Sequence, residues 1–212
     1  MVVVDVFGIP GVGKTTYVNK IQEKHTGKVY KREHIFTSIF WKNPMRKIFT
    51  LVMAARLYFK LRLYKYAIKD KLSTKNNYFK ECVFLVLLVK FIELHKDTNH
   101  DSALILDHGF AQILIHLIST SKISTNQKLK LVDRIIDLIP KTEVIFVFIK
   151  KDDLELVAKR LKQRTQNNAW FDKENETFIL SMLGSYAEVS AFLYEYLKKY
   201  KKPNFRFEYK HN

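Results

Sequence analysis

The sequence predicts an α/β fold in which a parallel five-stranded sheet carries helices on both faces. Three observations lead there. Short β-branched or apolar runs alternate with stretches of three- and four-residue apolar spacing along the whole chain. The first such run leads straight into a glycine-rich turn and a helix start. The 212 residues, 47% hydrophobic and 14% aromatic, are enough to fill one α/β core.

The first strand is Val2-Val3-Val4-Asp5-Val6-Phe7, a run typical of a buried parallel strand. Gly8-Ile9-Pro10-Gly11-Val12-Gly13-Lys14-Thr15 follows and reads as Gly-x-x-x-x-Gly-Lys-Thr, the phosphate-binding P-loop. Beyond it Val18 and Ile21 recur at helical spacing. Glycines let successive backbone N–H groups turn toward phosphate oxygens, and the helix N-terminus adds the positive end of its dipole. The expected nucleotide cradle is Gly8, Gly11, Val12, Gly13, Lys14, Thr15 and Thr16. Within it Lys14 reaches the β- and γ-phosphates, and the Thr15 hydroxyl ligates Mg²⁺. ATP and Mg²⁺ are therefore the expected cofactors, giving the three-layer fold of P-loop NTPases.

Lys28 to Lys31 reads as the second strand, ending in Arg32-Glu33-His34. Pro44 opens a long helix in which Ile48, Leu51, Val52, Ala55, Phe59, Leu63 and Tyr66 recur as an apolar stripe, with Arg56, Lys60, Lys65 and Lys69 on the polar side. A polar break at residues 73–77 precedes a mostly apolar, buried helix over residues 78–96. Ala103-Leu104-Ile105-Leu106 is the third strand, followed by Asp107-His108-Gly109 and an apolar helix. Ser124 or Thr125 caps the next helix, which Pro140 ends. The run from Thr142 to Ile149 is the clearest central strand. Asp152 or Asp153 starts a helix reaching Arg164, a polar loop covers residues 165–172, a long helix spans 174–200, and Asn204 to Tyr209 is the last strand.

Residues 1–212 read as a single domain, with residues 42–100 as a helical, strongly basic insertion on the acceptor side of the site. The chain carries a net charge of +16. Between Lys42 and Lys80 eleven basic residues face the single acid Asp70, so +10 of that charge lies in this segment. Such a field draws an anionic partner, whether nucleic acid or the periphery of a membrane, unless it is only a solvated lysine-rich surface. One cysteine, Cys82, excludes an internal disulfide and fits a reducing compartment. No apolar run approaches the length of a membrane span, and the sequence opens in a strand rather than a leader. The expected location is the cytoplasm, where the basic helix would meet the inner face of the membrane; a homodimer is also compatible.

Ligands of such sheets bind at the carboxyl ends of the strands, where the P-loop, Arg32-Glu33 and Asp107-His108 all fall. Asp107 is placed to hold Mg²⁺ beside Thr15, or else to cap the helix that opens after it. Arg160 and Arg164, four apart on one helix, form a guanidinium pair suited to a transferring phosphoryl group, or a solvated face. Arg32 suits an anionic acceptor and Glu33 a proton-accepting role, though an exposed ion pair fits the spacing equally well. His108 is a third acceptor-side candidate, or a structural histidine.

These residues together resemble the thymidylate kinase branch of the nucleoside-monophosphate kinases. The family has an N-terminal P-loop, an Arg-Glu after its second strand, an acid after its third, and an Arg-x-x-x-Arg leading into a lid. Here these are matched by Gly8 to Thr15, Arg32-Glu33, Asp107, and Arg160 with Arg164. A Phe and a Tyr eight residues apart on the last helix are matched by Phe178 and Tyr186. The chain departs from the pattern at Ile9-Pro10, where the family carries an acceptor-contacting Asp, and at His108-Gly109, where it carries Arg and an aromatic. The resemblance implies transfer of the γ-phosphoryl of Mg-ATP to an anionic or hydroxyl-bearing small molecule: nucleotide, sugar or glycan. It does not imply thymidylate.

Two other classes of P-loop protein bear on the reading. A guanine-specific switch needs Asn-Lys-x-Asp, but Ile149 precedes Lys150-Lys151-Asp152, and Asp107-His108-Gly109-Phe110 lacks the Asp-x-x-Gly pattern. A P-loop ATPase held to nucleic acid or a membrane by its basic helix remains the alternative.

Overall fold

The computed structural model describes residues 1–37, 44–61, 75–97, 101–119, 124–163, 175–200 and 202–211. Five strands form one sheet: β1 (Val2–Phe7), β2 (Val29–Tyr30), β3 (Ala103–Leu106), β4 (Glu143–Lys150) and β5 (Phe205–His211). They lie in the order β2-β3-β1-β4-β5, and every neighbouring pair is parallel. β1 has β3 on one side and β4 on the other, so connections depart from it in opposite directions. That switch opens a crevice at the carboxyl end of β1, where the glycine-rich turn begins.

Around the sheet run α1 (Lys14–Lys24), α2 (Arg32–Ile35), α3 (Pro44–Lys60), α4 (Lys75–His95), α5 (Phe110–Ser119), α6 (Thr125–Ile136), α7 (Leu154–Lys162) and α8 (Glu176–Lys199). The apolar strands justify their burial: Val3, Val6, Phe7, Leu104 and Phe146 are all fully enclosed. α5 is buried almost all round, as its unbroken apolar sequence requires. Among the described residues one helix, α8, is long and apolar enough to cross a membrane. Its Ile179, Leu183, Tyr186, Val189, Leu193 and Leu197 are instead buried in the core.

The second strand is shorter than expected. Only Val29–Tyr30 pair, and Arg32 already opens the single turn α2. Cys82 is buried, and burial pushes its thiol up to about 12, so it is inert. The basic residues of segment 62–74, and Arg164 with the polar loop after it, lie outside the described residues.

The greatest departure concerns α3. The stripe expected to face the core, Ile48, Leu51, Val52 and Phe59, is exposed, and the buried residues of the helix are Thr50, Ala54 and Leu57. Apolar residues occur on every side of this helix, so spacing alone does not choose a face. Small side chains let α3 lie close against α4, and close approach decides the inward face.

Candidate active site

The turn after β1 is held in place from three directions. Gly8, Gly11 and Gly13 all have positive φ. At Gly8 the need for glycine is double, because a Cβ there would lie 2.4 Å from the Ile149 carbonyl oxygen of β4. The Gly8 N–H donates to Oε1 of the buried Gln112 on α5 at 3.4 Å. Gly11 rests against Leu161 and Val157 of α7. Gly13 stands at the N-cap of α1, so the turn delivers the chain directly to the positive end of that helix.

Lys14 curls over the turn. Its ammonium donates to the carbonyls of Gly8 at 3.0 Å and Ile9 at 2.8 Å. The Thr15 hydroxyl donates to Asp107 Oδ2 at 2.8 Å, joining the turn to the end of β3. A hydroxyl and a carboxylate in contact are hard oxygen donors. Two protein oxygens completed by phosphate and water are what Mg²⁺ accepts, so the pair fits that ion. The turn also fits a phosphate group, since its three positive-φ glycines lead straight into the N-terminus of α1. Among the described residues no cluster of three or more His, Cys, Asp or Glu could hold a metal on its own. Thr16 is exposed beside Thr15 on the first turn of α1. A cleft lined by Ile9, Ile149, Lys150, Lys151 and Leu154 opens at the adjacent end of β4.

The alternative role for Asp107, capping α5, is filled by another residue. Asp5 sits on β1, completely buried, and its Oδ2 accepts from the Ala111 N–H at 2.9 Å. Gly109 makes this possible, since a Cβ there would stand 2.5 Å from the Asp5 carboxyl. Burial pushes Asp5 up to about 7, and the N–H groups of Ala111 and Phe110 only partly oppose it. Its Oδ1 has no hydrogen-bond partner. The folded chain therefore holds a proton that the unfolded chain releases above the ordinary aspartate pKa of 3.8. Stability tied to Asp5 is full below that value and is lost as the pH rises toward 7. Asp5→Asn keeps an acceptor for Ala111 and removes the titration. Thermal melts between pH 5 and pH 8 should fall less steeply for the variant, by on the order of a few kcal/mol across the window. Parallel curves would show that Asp5 does not titrate there.

Arg32 and His108 are joined through Phe84 of α4. The Arg32 guanidinium lies over its ring, with Cζ 4.8 Å from the centroid. Phe36 stacks on the same ring at 5.6 Å, and His108 approaches it at 5.7 Å. Arg32 and Glu33 are exposed on α2. His108 is not free to swing, because Glu81 holds it. His108 Nε2 lies 3.1 Å from Glu81 Oε2, and His116 Nδ1 lies 3.2 Å from Oε1. A carboxylate only accepts, so both of those ring nitrogens carry hydrogen. Burial alone would push the Glu81 carboxyl up, but the two histidine hydrogen bonds outweigh it and hold it at about 2.

The structure thus brings Gly8, Gly11, Val12, Gly13, Lys14, Thr15, Asp107, His108 and Arg32 to one end of the sheet. Arg160 is exposed on α7, whose Val157 and Leu161 support Gly11. Arg164 lies outside the described residues. Sequence reasoning missed Asp5, Glu81, Phe84, Gln112 and His116. Asp5 and Glu81 did carry a signal, each being an isolated acid in an apolar run.

Neither a family model nor a curated protein matches the chain. Solved structures do. Deoxyadenosine kinase from M. mycoides, with dCMP and dCDP bound, superposes with a TM-score of 0.54 at 14% identity, covering 98% of this chain and 89% of that one. Thymidylate kinase from Candida albicans gives 0.51 at 16% identity, covering 99% and 84%. The M. mycoides enzyme with bound dATP gives 0.50 at 16%, covering 99% and 90%. The fold is that of the P-loop kinases. That likeness extends over nearly the full length of the chain.

Proposed function

We propose that this P-loop kinase fold transfers the γ-phosphoryl group of Mg-ATP to a small acceptor of the nucleoside or nucleotide kind. The observation that carries the reading is the continuous chain of contacts from Lys14 and Thr15 through Asp107 and His108 to Phe84 and Arg32. It joins the glycine turn to the Phe84 ring and the Arg32 guanidinium over it. Both neighbours by fold are named as kinases of nucleosides or nucleotides, which supports this acceptor class over sugars and glycans.

In this reading the turn N–H groups and Lys14 bind the triphosphate, and Thr15 and Asp107 hold the Mg²⁺ that neutralises it. Arg160, on the helix that supports Gly11, and Arg164 four residues on in the sequence supply charge at the transferring group. Arg32 binds the acceptor by charge, and the buried Phe84 ring beneath it positions its guanidinium. Glu81 holds the His108 ring by its Nε2. The swap of arginine and aromatic for His108-Gly109 leaves less positive charge for a phosphorylated acceptor.

A screen of ATP consumption over nucleosides, nucleoside monophosphates, sugars and lipid-linked glycans tests the proposal. Turnover with a nucleoside or nucleotide, lost in Lys14→Ala, is expected. Hydrolysis without an acceptor, stimulated by polynucleotide or lipid, would support the ATPase reading instead.

If the acceptor presents a hydroxyl, a base must take its proton, and Glu33 is the exposed carboxylate beside Arg32. Glu33→Gln should then lower turnover by roughly 10²-fold with ATP affinity unchanged. Unchanged turnover would assign the base to Asp107, or the acceptor oxygen to a phosphate.

A further inference from the structure

α3 displays outside what a surface helix normally hides. Its buried side includes Thr50, completely enclosed and with its hydroxyl unpartnered, together with Ala54 and Leu57. Its outer side presents Ile48 at 58% exposure, Phe49 at 55%, Leu51 at 42% and Val52 at 51%. Met45 and Phe59, near the two ends, are exposed as well. The patch continues onto α4, where Lys90 lies over the Phe49 ring at 4.1 Å and Leu94, one turn on, is 63% exposed. A contiguous apolar surface of this kind marks an interaction site.

The charges around it are mainly positive, with Glu93 of α4 the acid felt by Lys90. α3 contains Arg46, Lys47, Arg56 and Lys60 and no Asp or Glu. We propose that the outer face of α3 docks on an anionic lipid bilayer. Ile48, Leu51 and Val52 enter the boundary between headgroups and acyl chains, while Arg46, Arg56 and Lys60 meet the lipid phosphates.

The charge pattern selects this occupant. In a symmetric pair of chains the same patch meets itself, so Arg46, Arg56, Lys60 and Lys90 would face their own copies, and Glu93 would offset only part of that charge. A polynucleotide would satisfy those cations but leave Ile48, Leu51 and Val52 against water or phosphate. A bilayer with anionic headgroups meets both halves of the surface at once. The inference does not depend on phosphoryl transfer.

The test is co-sedimentation of the full chain with vesicles of phosphatidylcholine alone, or with about one third phosphatidylglycerol, at low and high salt. Binding to the anionic vesicles, weakened by salt and absent with phosphatidylcholine, is expected. Ile48→Asp with Val52→Asp, and separately Arg56→Glu with Lys60→Glu, should each weaken binding roughly tenfold or more. All four side chains point outward, and thermal melts check that each pair folds; the charge pair keeps the test alive if the first does not. Lys14→Ala should bind vesicles as the parent does. No binding to anionic vesicles, or binding that both pairs leave intact, would overturn the proposal. So would a dimer in sedimentation equilibrium that the aspartate pair dissociates, or oligonucleotide binding that only the charge pair removes.

Discussion

Lys14→Ala is expected to lower phosphoryl transfer by on the order of 10²- to 10³-fold, while the melting temperature stays close to that of the parent. The Lys14 ammonium donates to the carbonyls of Gly8 and Ile9, within its own turn. Removing it leaves the strand, the glycines and the support from Gln112 and α7 in place, so the fold loses little. The reaction loses more. Negative charge grows on the phosphoryl oxygens during transfer, and a fixed ammonium counts most where charge develops. The measurement is steady-state turnover with the acceptor found by the screen, beside a thermal melt. A folded variant with parental turnover would refute phosphoryl transfer at this turn.

Asp107→Ala should have an effect of similar size, on the order of 10² in turnover, with a rise in the Mg²⁺ concentration needed for half-maximal rate. The prediction is sharp because the competing role is already taken. Asp5, not Asp107, accepts from the first N–H groups of α5. The Asp107 carboxylate instead receives the Thr15 hydroxyl. If Asp107 were structural, its loss would lower the melting temperature and leave the Mg²⁺ dependence alone. A Mg²⁺ titration compared between parent, Asp107→Ala and Thr15→Ala separates the outcomes, and the two variants should resemble each other.

The parts of the site written locally in the chain were legible. The turn from Gly8 to Thr15 is contiguous, and its strand and helix adjoin it, so residue types alone dictate its geometry. The same holds for β3 with Asp107 and for the long apolar run of β4. What could not be read depends on partners far apart in the chain. Asp5 and Ala111, Glu81 and His108, Gln112 and Gly8 meet only once the sheet is assembled. An isolated acid in an apolar run announces that it needs a partner but does not name it. The facing of α3 was misjudged for another reason. Its spacing offers more than one apolar stripe, and fit against α4 chose the one with the smaller side chains.

The central position of β1 also has a kinetic meaning. Val2 pairs with Ala103 on one side and Glu143 on the other. The strand that ends in the glycine turn is therefore among the first parts of this sequence to leave the ribosome, yet it has no partner until nearly half of the chain has followed. Until then Val2–Phe7 is an apolar segment with two unpaired edges, the kind of surface on which nascent chains aggregate. Such distant pairing also makes for slow folding. Refolding of the purified chain should accordingly lose yield as its concentration rises.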